Sequence, residues 1–130
     1  FGEGAMTLFA IDGKSFARLP AYHALAHFAR FTAPGWRRVE AGSDDTHLLV
    51  SAWSPPDGSA LTVVLINTGS DAVDAEVTAS GNAAALLAKA QVTRTVFDGV
   101  ERSANLGALS SEHIVRVPGR AIVTVSSKAN

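Results

Sequence analysis

Residues 61–66 read Leu61-Thr62-Val63-Val64-Leu65-Ile66, a strand-like run that is apolar on both of its alternating faces. A strand with one wet face alternates apolar and polar side chains, so a run without that alternation belongs in the middle of a sheet covered on both sides. Upstream, Pro55-Pro56-Asp57-Gly58-Ser59 is a turn that folds a strand over residues 47–54 back onto it. Downstream, Val73, Ala75 and Val77 alternate with Asp74 and Glu76, which predicts a strand over residues 72–79 with one face in solvent. Further strands are expected at 36–41, at 92–97 before Asp98-Gly99, and at 112–117 and 120–126 around Pro118-Gly119. Seven short β-rich runs separated by turn signals predict a mainly β fold, an antiparallel β-sandwich of about seven to nine strands. Residues 82–90 are alanine-rich and fit either a helical turn or a soft loop.

The period changes ahead of these strands. Residues 7–11 are a short apolar run closed by Asp12-Gly13, and from residue 19 to 31 the spacing is helical. Pro20 suits a first helical turn, where its missing N–H has no intrahelical partner to lose. Tyr22, Ala24, Leu25, Ala26, Phe28, Ala29 and Phe31 cover more than half of the helix circumference, which leaves His23, His27 and Arg30 as a polar strip. A surface helix needs an apolar face of only about 100°, so this N-terminal α-helix should be packed on two sides. Pro34-Gly35 ends it.

The chain has 130 residues, of which 47% are hydrophobic and 18% charged, with a net charge of −1 and no cysteine. One core of useful size fits that length. Without cysteine there is no disulfide scaffold, thiol nucleophile or cysteine-ligated zinc. Eleven basic residues against twelve acidic ones provide no polycationic face, which argues against nucleic acid. No apolar run reaches the roughly 20 residues of a membrane helix, and no cofactor motif occurs. The chain begins at Phe1, and it is expected to be a piece of a longer polypeptide whose first six residues are not to be read as structure.

Each candidate for chemistry has a plainer explanation. His23 and His27 have the i, i+4 spacing that lets two imidazoles share a metal, but no glutamate lies between them as in a zinc-protease helix and no third ligand follows; they are expected at the polar edge, with no metal. Asp44 and Asp45 lack the alternate spacing of a calcium loop and fit a solvated turn. Glycoside hydrolysis needs two facing carboxyl groups, and nothing selects a pair from Glu3, Glu40, Glu76, Glu101 and Glu112. There is no nucleophile elbow and no phosphate loop. No catalytic residue is therefore assigned. Trp36 and Trp53 are the candidates for carbohydrate contact if exposed, and core residues otherwise.

The stretch Tyr22-His-Ala-Leu-Ala-His-Phe-Ala-Arg-Phe-Thr-Ala-Pro-Gly-Trp-Arg-Arg-Val39 resembles a junction in family 30 glycoside hydrolases, the glucuronoxylanase and glucosylceramidase-like enzymes, where the last barrel helix enters the side β-sandwich. Tyr22, Phe28, Arg30, Phe31, Pro34, Gly35, Arg38 and Val39 carry the match; Ala29 and Ala33 depart from it. Val50-Ser51-Ala52-Trp53, the strand from Leu61 to Asn67, and the run from Val117 to Val125 extend the resemblance, with Ala121 at a position where serine is usual. Residues 79–111 match loosely.

The resemblance implies that residues 1–34 are the end of a (β/α)8 barrel, a last strand remnant and the final helix, and that residues 35–130 are the side domain. The family's catalytic glutamates lie at the ends of the fourth and seventh barrel strands, and no position here corresponds to either. The expected function is a non-catalytic sandwich buttressing the catalytic barrel of a glycoside hydrolase that acts on polysaccharide or glycoside; the alternative is a carbohydrate-binding module. The expected partners are that barrel and possible polysaccharide, with no nucleic acid and no membrane. A homodimer or a rearranged N-terminal segment is expected when the barrel is absent. The parent is expected to be extracellular or periplasmic.

Overall fold

The computed structural model describes residues 9–12, 15–18, 20–98 and 101–128, with side chains from residue 23 onward. A hairpin of β1 (Phe9–Asp12) and β2 (Ser15–Arg18) leads into α1 (Pro20–Ala29). The sandwich follows: β3 (Arg37–Val39), β4 (Leu48–Ser54), β5 (Thr62–Asn67), β6 (Val73–Glu76), α2 (Asn82–Leu87), β7 (Gln91–Val96), β8 (Ala104–Ala108), β9 (Ile114–Val117) and β10 (Ala121–Ser126). Its eight strands fall within the expected number. They form a six-stranded antiparallel sheet in the order β3-β4-β5-β10-β7-β8 and a two-stranded sheet of β6 and β9.

The run at 61–66 takes the place its composition requires. As β5 it is flanked by β4 and β10, and Thr62 to Leu65 are buried on both faces. β10 is buried along its whole length. Register separates the two faces. On one, Leu65 lies beside Val123 and Val63 beside Val125, and these meet Val115 and Val117 of β9 to make the core. On the other, Val64 lies beside Thr124, which lies beside Thr93, and Thr62 beside Ser126. The first face is apolar and the second is rich in hydroxyls.

Buried Asn67 joins the two sheets. Its Nδ2 donates to Asp71 O at 2.8 Å and to Val117 O at 3.1 Å, and its Oδ1 accepts the Gly69 N–H at 2.9 Å. The turn at Pro118-Gly119 admits only glycine at its second position, because a Cβ there would overlap the Ser70 carbonyl. Residues 82–90 resolve into the short helix α2 and a turn, with Leu87 buried. β8 lies where no strand was expected. It carries no apolar run and forms by pairing with β7, across a register shift at Val92/Thr93.

Candidate functional site

Two surfaces of the sandwich have a geometry that can hold something, one on each face of the large sheet. On the hydroxyl-rich face sits α1, and at their contact lies His27, 1% exposed. This corrects the expected polar strip, since His27 points into the sheet and not along a solvent edge. The physical reason is the pair of threonines beneath it: Nδ1 lies 2.8 Å from Thr124 Oγ1 and Nε2 lies 2.8 Å from Thr95 Oγ1.

The surrounding bonds fix the tautomer. Thr124 Oγ1 also donates to His27 O at 3.2 Å, so it accepts a proton from Nδ1. Thr95 Oγ1 accepts the Ser103 N–H at 2.8 Å, so its own hydroxyl is free to donate to Nε2. In this arrangement every proton has an acceptor and the ring is neutral. Burial, followed by the positive charges of Arg30 and His23, lowers the His27 pKa from 6.5 to about 4. With both ring nitrogens engaged, neither has a lone pair to offer a metal. Among the described residues no three His, Asp or Glu side chains gather as a metal site.

The end of α1 is tied down as well. Phe28 O accepts from Thr32 Oγ1 at 2.8 Å, Phe31 O from Thr62 Oγ1 at 2.6 Å, and Arg30 O from Lys128 Nζ at 3.3 Å. These bonds satisfy carbonyls that a helix C-terminus leaves open. Two residues either side of His27, about 200° around the helix, Leu25 and Ala29 are exposed, Leu25 at 43%. The helix is clamped on one side and presents an apolar strip on the other.

The sequence-predicted aromatics sit near this face. Trp53 is half-buried, donates from Nε1 to Ser51 Oγ at 3.3 Å, and lines a shallow depression of about 270 Å³ with Phe28, Arg38, Leu49 and Ile66. Trp36 is half-buried just before β3 and is not part of that depression.

On the apolar face, an open trough of about 1230 Å³ runs between β4 and β6. Glu40, Asp44, Asp45, Asp74 and Glu76 stand on its rim. Glu40 and Glu76 are solvent-exposed, whereas a catalytic acid is kept protonated by an apolar setting. Glu101 is held by Arg94 through bonds of 2.8 and 3.1 Å, and Glu112 is exposed. Glu3 lies outside the described residues. Sequence reasoning missed both the His27 node and the trough. The signal for the first was polar Thr124 within the otherwise apolar run from Ala121 to Val125.

The family model for the glycosyl hydrolase family 30 beta sandwich domain matches residues 35–125. No curated protein matches the chain. Among solved structures, it is similar to a GH30 endoxylanase from Clostridium papyrosolvens, at 25% identity and a TM-score of 0.62 over 84% of this chain and 28% of that one. The catalytic domain of GH30 xylanase C from Talaromyces cellulolyticus aligns at 22% identity and a TM-score of 0.70, over 92% and 26%. A conserved exported protein from Bacteroides fragilis aligns at 18% identity and a TM-score of 0.70, over 86% and 22%. The chain thus spans about a quarter of the length of these relatives.

Proposed function

Because the chain belongs to the family 30 glycosyl hydrolase β-sandwich domains, we propose that it is the non-catalytic support of a glycoside hydrolase and that α1 is its joint to the catalytic barrel. The observation that carries this reading is the two-sided helix: His27 and the threonines fasten one side to the sheet, and Leu25 and Ala29 leave the other side apolar and open. An exposed apolar strip on a firmly held helix is a surface made to be covered. In this reading residues 1–34 are the end of the barrel and residues 35–130 the side domain. Barrel strands run parallel and β1 and β2 pair antiparallel, so at most one of the two is the last barrel strand. The parent acts on a polysaccharide outside the cytoplasm, a reading supported by the likeness to an endoxylanase and to an exported protein.

The test is direct. The purified chain should hydrolyse neither β-1,4-xylan nor aryl glucosides, and it should co-elute with a separately expressed family 30 barrel. Leu25→Asp should weaken that association. Xylan turnover by the chain alone, abolished by replacing one of its own carboxylates, would reject the reading. Sedimentation of the isolated chain should show concentration-dependent dimers.

Sugar contact is the second reading, favoured by the half-exposed Trp53, its cross-strand partner Arg38 and the shallow depression they share. Trp36 enters it only as a neighbouring aromatic. Retardation in xylan gels, lost in Trp53→Ala, is the expected sign, and unretarded migration in xylan, glucan and galactan gels removes it.

A further inference from the structure

α1 can part from the sandwich without opening its core. None of its described residues belongs to the apolar cluster between the sheets, and it packs chiefly against β2, β7 and β10. Polar bonds fasten its far end to the large sheet: His27 to Thr95 and Thr124, then Arg30 O to Lys128 and Phe31 O to Thr62. Beyond them the chain turns at Ala33-Pro34-Gly35, closed by the Trp36 N–H on Ala33 O at 3.1 Å, with Gly35 at a φ of +90°.

The bonds at His27 admit only the neutral ring. Nδ1–H donates to Thr124 Oγ1, whose own proton goes to His27 O. Nε2 accepts from Thr95 Oγ1, which in turn takes the Ser103 N–H. A second ring proton, on Nε2, faces the Thr95 hydroxyl proton, and turning that hydroxyl away forfeits its bond to the ring. The added charge also sits where the residue is 1% exposed, and a buried charge is costly unless it is paired.

The charged groups nearby do not supply that pairing. Arg30 and His23 lie on α1 itself, three residues after and four before His27, and their positive charges oppose a charged ring. β5 and β10 carry no charged residue, and β2 carries Arg18. On β7 the charged residue is Arg94, held by Glu101 at 2.8 Å. Arg102 donates to Val96 O at 2.6 Å, and Lys128 caps Arg30 O.

We infer that protonation of His27 unlatches α1 from the large sheet while both sheets stay folded, the chain bending at Pro34-Gly35. The direction agrees with the proton affinities. Burial, then Arg30 and His23, hold the docked ring at about 4 against 6.5 for a free one, so the undocked helix binds the proton more tightly and acid favours release. Acid then lets the side domain swing on that link, a consequence that rests on the reading of α1 as the joint to the barrel.

Amide exchange of the 130-residue chain, corrected for the intrinsic pH dependence of exchange, is the test. Protection of the amides of residues 24–30 should fall about sixfold for each pH unit between 6 and 4.5. The Val64 and Val123 amides should stay protected at pH 4.5. His27→Gln should keep α1 protected across this range, whereas His23→Gln should leave the fall in place. Should His27→Gln fail to fold, nitrogen NMR of the native ring decides. His27 should carry its proton on Nδ1 at pH 7 and become imidazolium in step with the loss of α1 protection. Imidazolium formed while α1 stays protected, helix and sheet protection lost together, or no loss by pH 4.5 overturns the inference. If a family 30 barrel fails to co-elute with the chain at pH 7 while α1 still unlatches in acid, the support role is rejected and the latch stands.

Discussion

β10 separates two unlike interfaces with one six-residue strand. Ala121, Val123 and Val125 meet β9 through shape and area alone, whereas Ile122, Thr124 and Ser126 meet the side on which α1 docks. All six are buried to a similar degree, so burial does not distinguish the faces. Direction does. An apolar contact tolerates sliding, but His27 satisfies Thr95 and Thr124 together in one helix position only, and Phe31 O reaches Thr62 only in that same position. The core face supplies stability without specifying an address, and the helix face specifies where a partner-bearing helix must lie. All buried polar side-chain atoms among the described residues have partners, as a network used for alignment requires.

The largest expected effect breaks the apolar side. Val123→Asp puts a carboxylate among valines with no donor in reach, at a cost of several kcal/mol, which rivals the roughly 5–15 kcal/mol stability of a domain. Circular dichroism should show no cooperative thermal transition. Next comes the helix side. His27→Leu keeps the volume but deletes both ring bonds, and should cost roughly 2–3 kcal/mol in denaturant titration while the sheet survives.

The same histidine makes the helix side sensitive to acid. Its pKa is about 4 in the fold and near 6.5 when unfolded, so between these values the unfolded chain binds the extra proton. The contribution is therefore complete above about pH 6.5 and is lost as the pH falls toward 4, up to roughly 3 kcal/mol in all. His27→Gln should flatten this part of the stability–pH curve, and an unchanged slope would mean that another group titrates there.

What could be read in the sequence follows the same division. The apolar face was legible because valine and leucine at alternate positions announce burial: β5 was placed as a central strand, and β6 with Asp74 and Glu76 outward. The hydroxyl face was not, because a pattern of hydropathy counts threonine and histidine as outward residues. A helical wheel alone sets His27 beside His23 and Arg30, and only the sheet beneath supplies the hydroxyls that make its burial affordable. β8 escaped for a related reason, since Ala104 to Ala108 owe their strand to β7 and not to their own composition. The family junction was legible from Tyr22 to Val39, and the trough was not, because an unfilled space has no residue to announce it.

The smallest expected effect sharpens the contrast within the apolar face itself. Val125 has no exposed surface, and Val50 is half-buried at the trough. Val125→Ala leaves a cavity that rigid neighbours cannot fill and should cost roughly 2 kcal/mol, whereas Val50→Ala removes methyl groups already in contact with solvent and should cost below about 1 kcal/mol. Urea titrations of the two variants in the isolated chain measure the difference. Equal costs would mean that the trough wall is already packed as tightly as the core under β9.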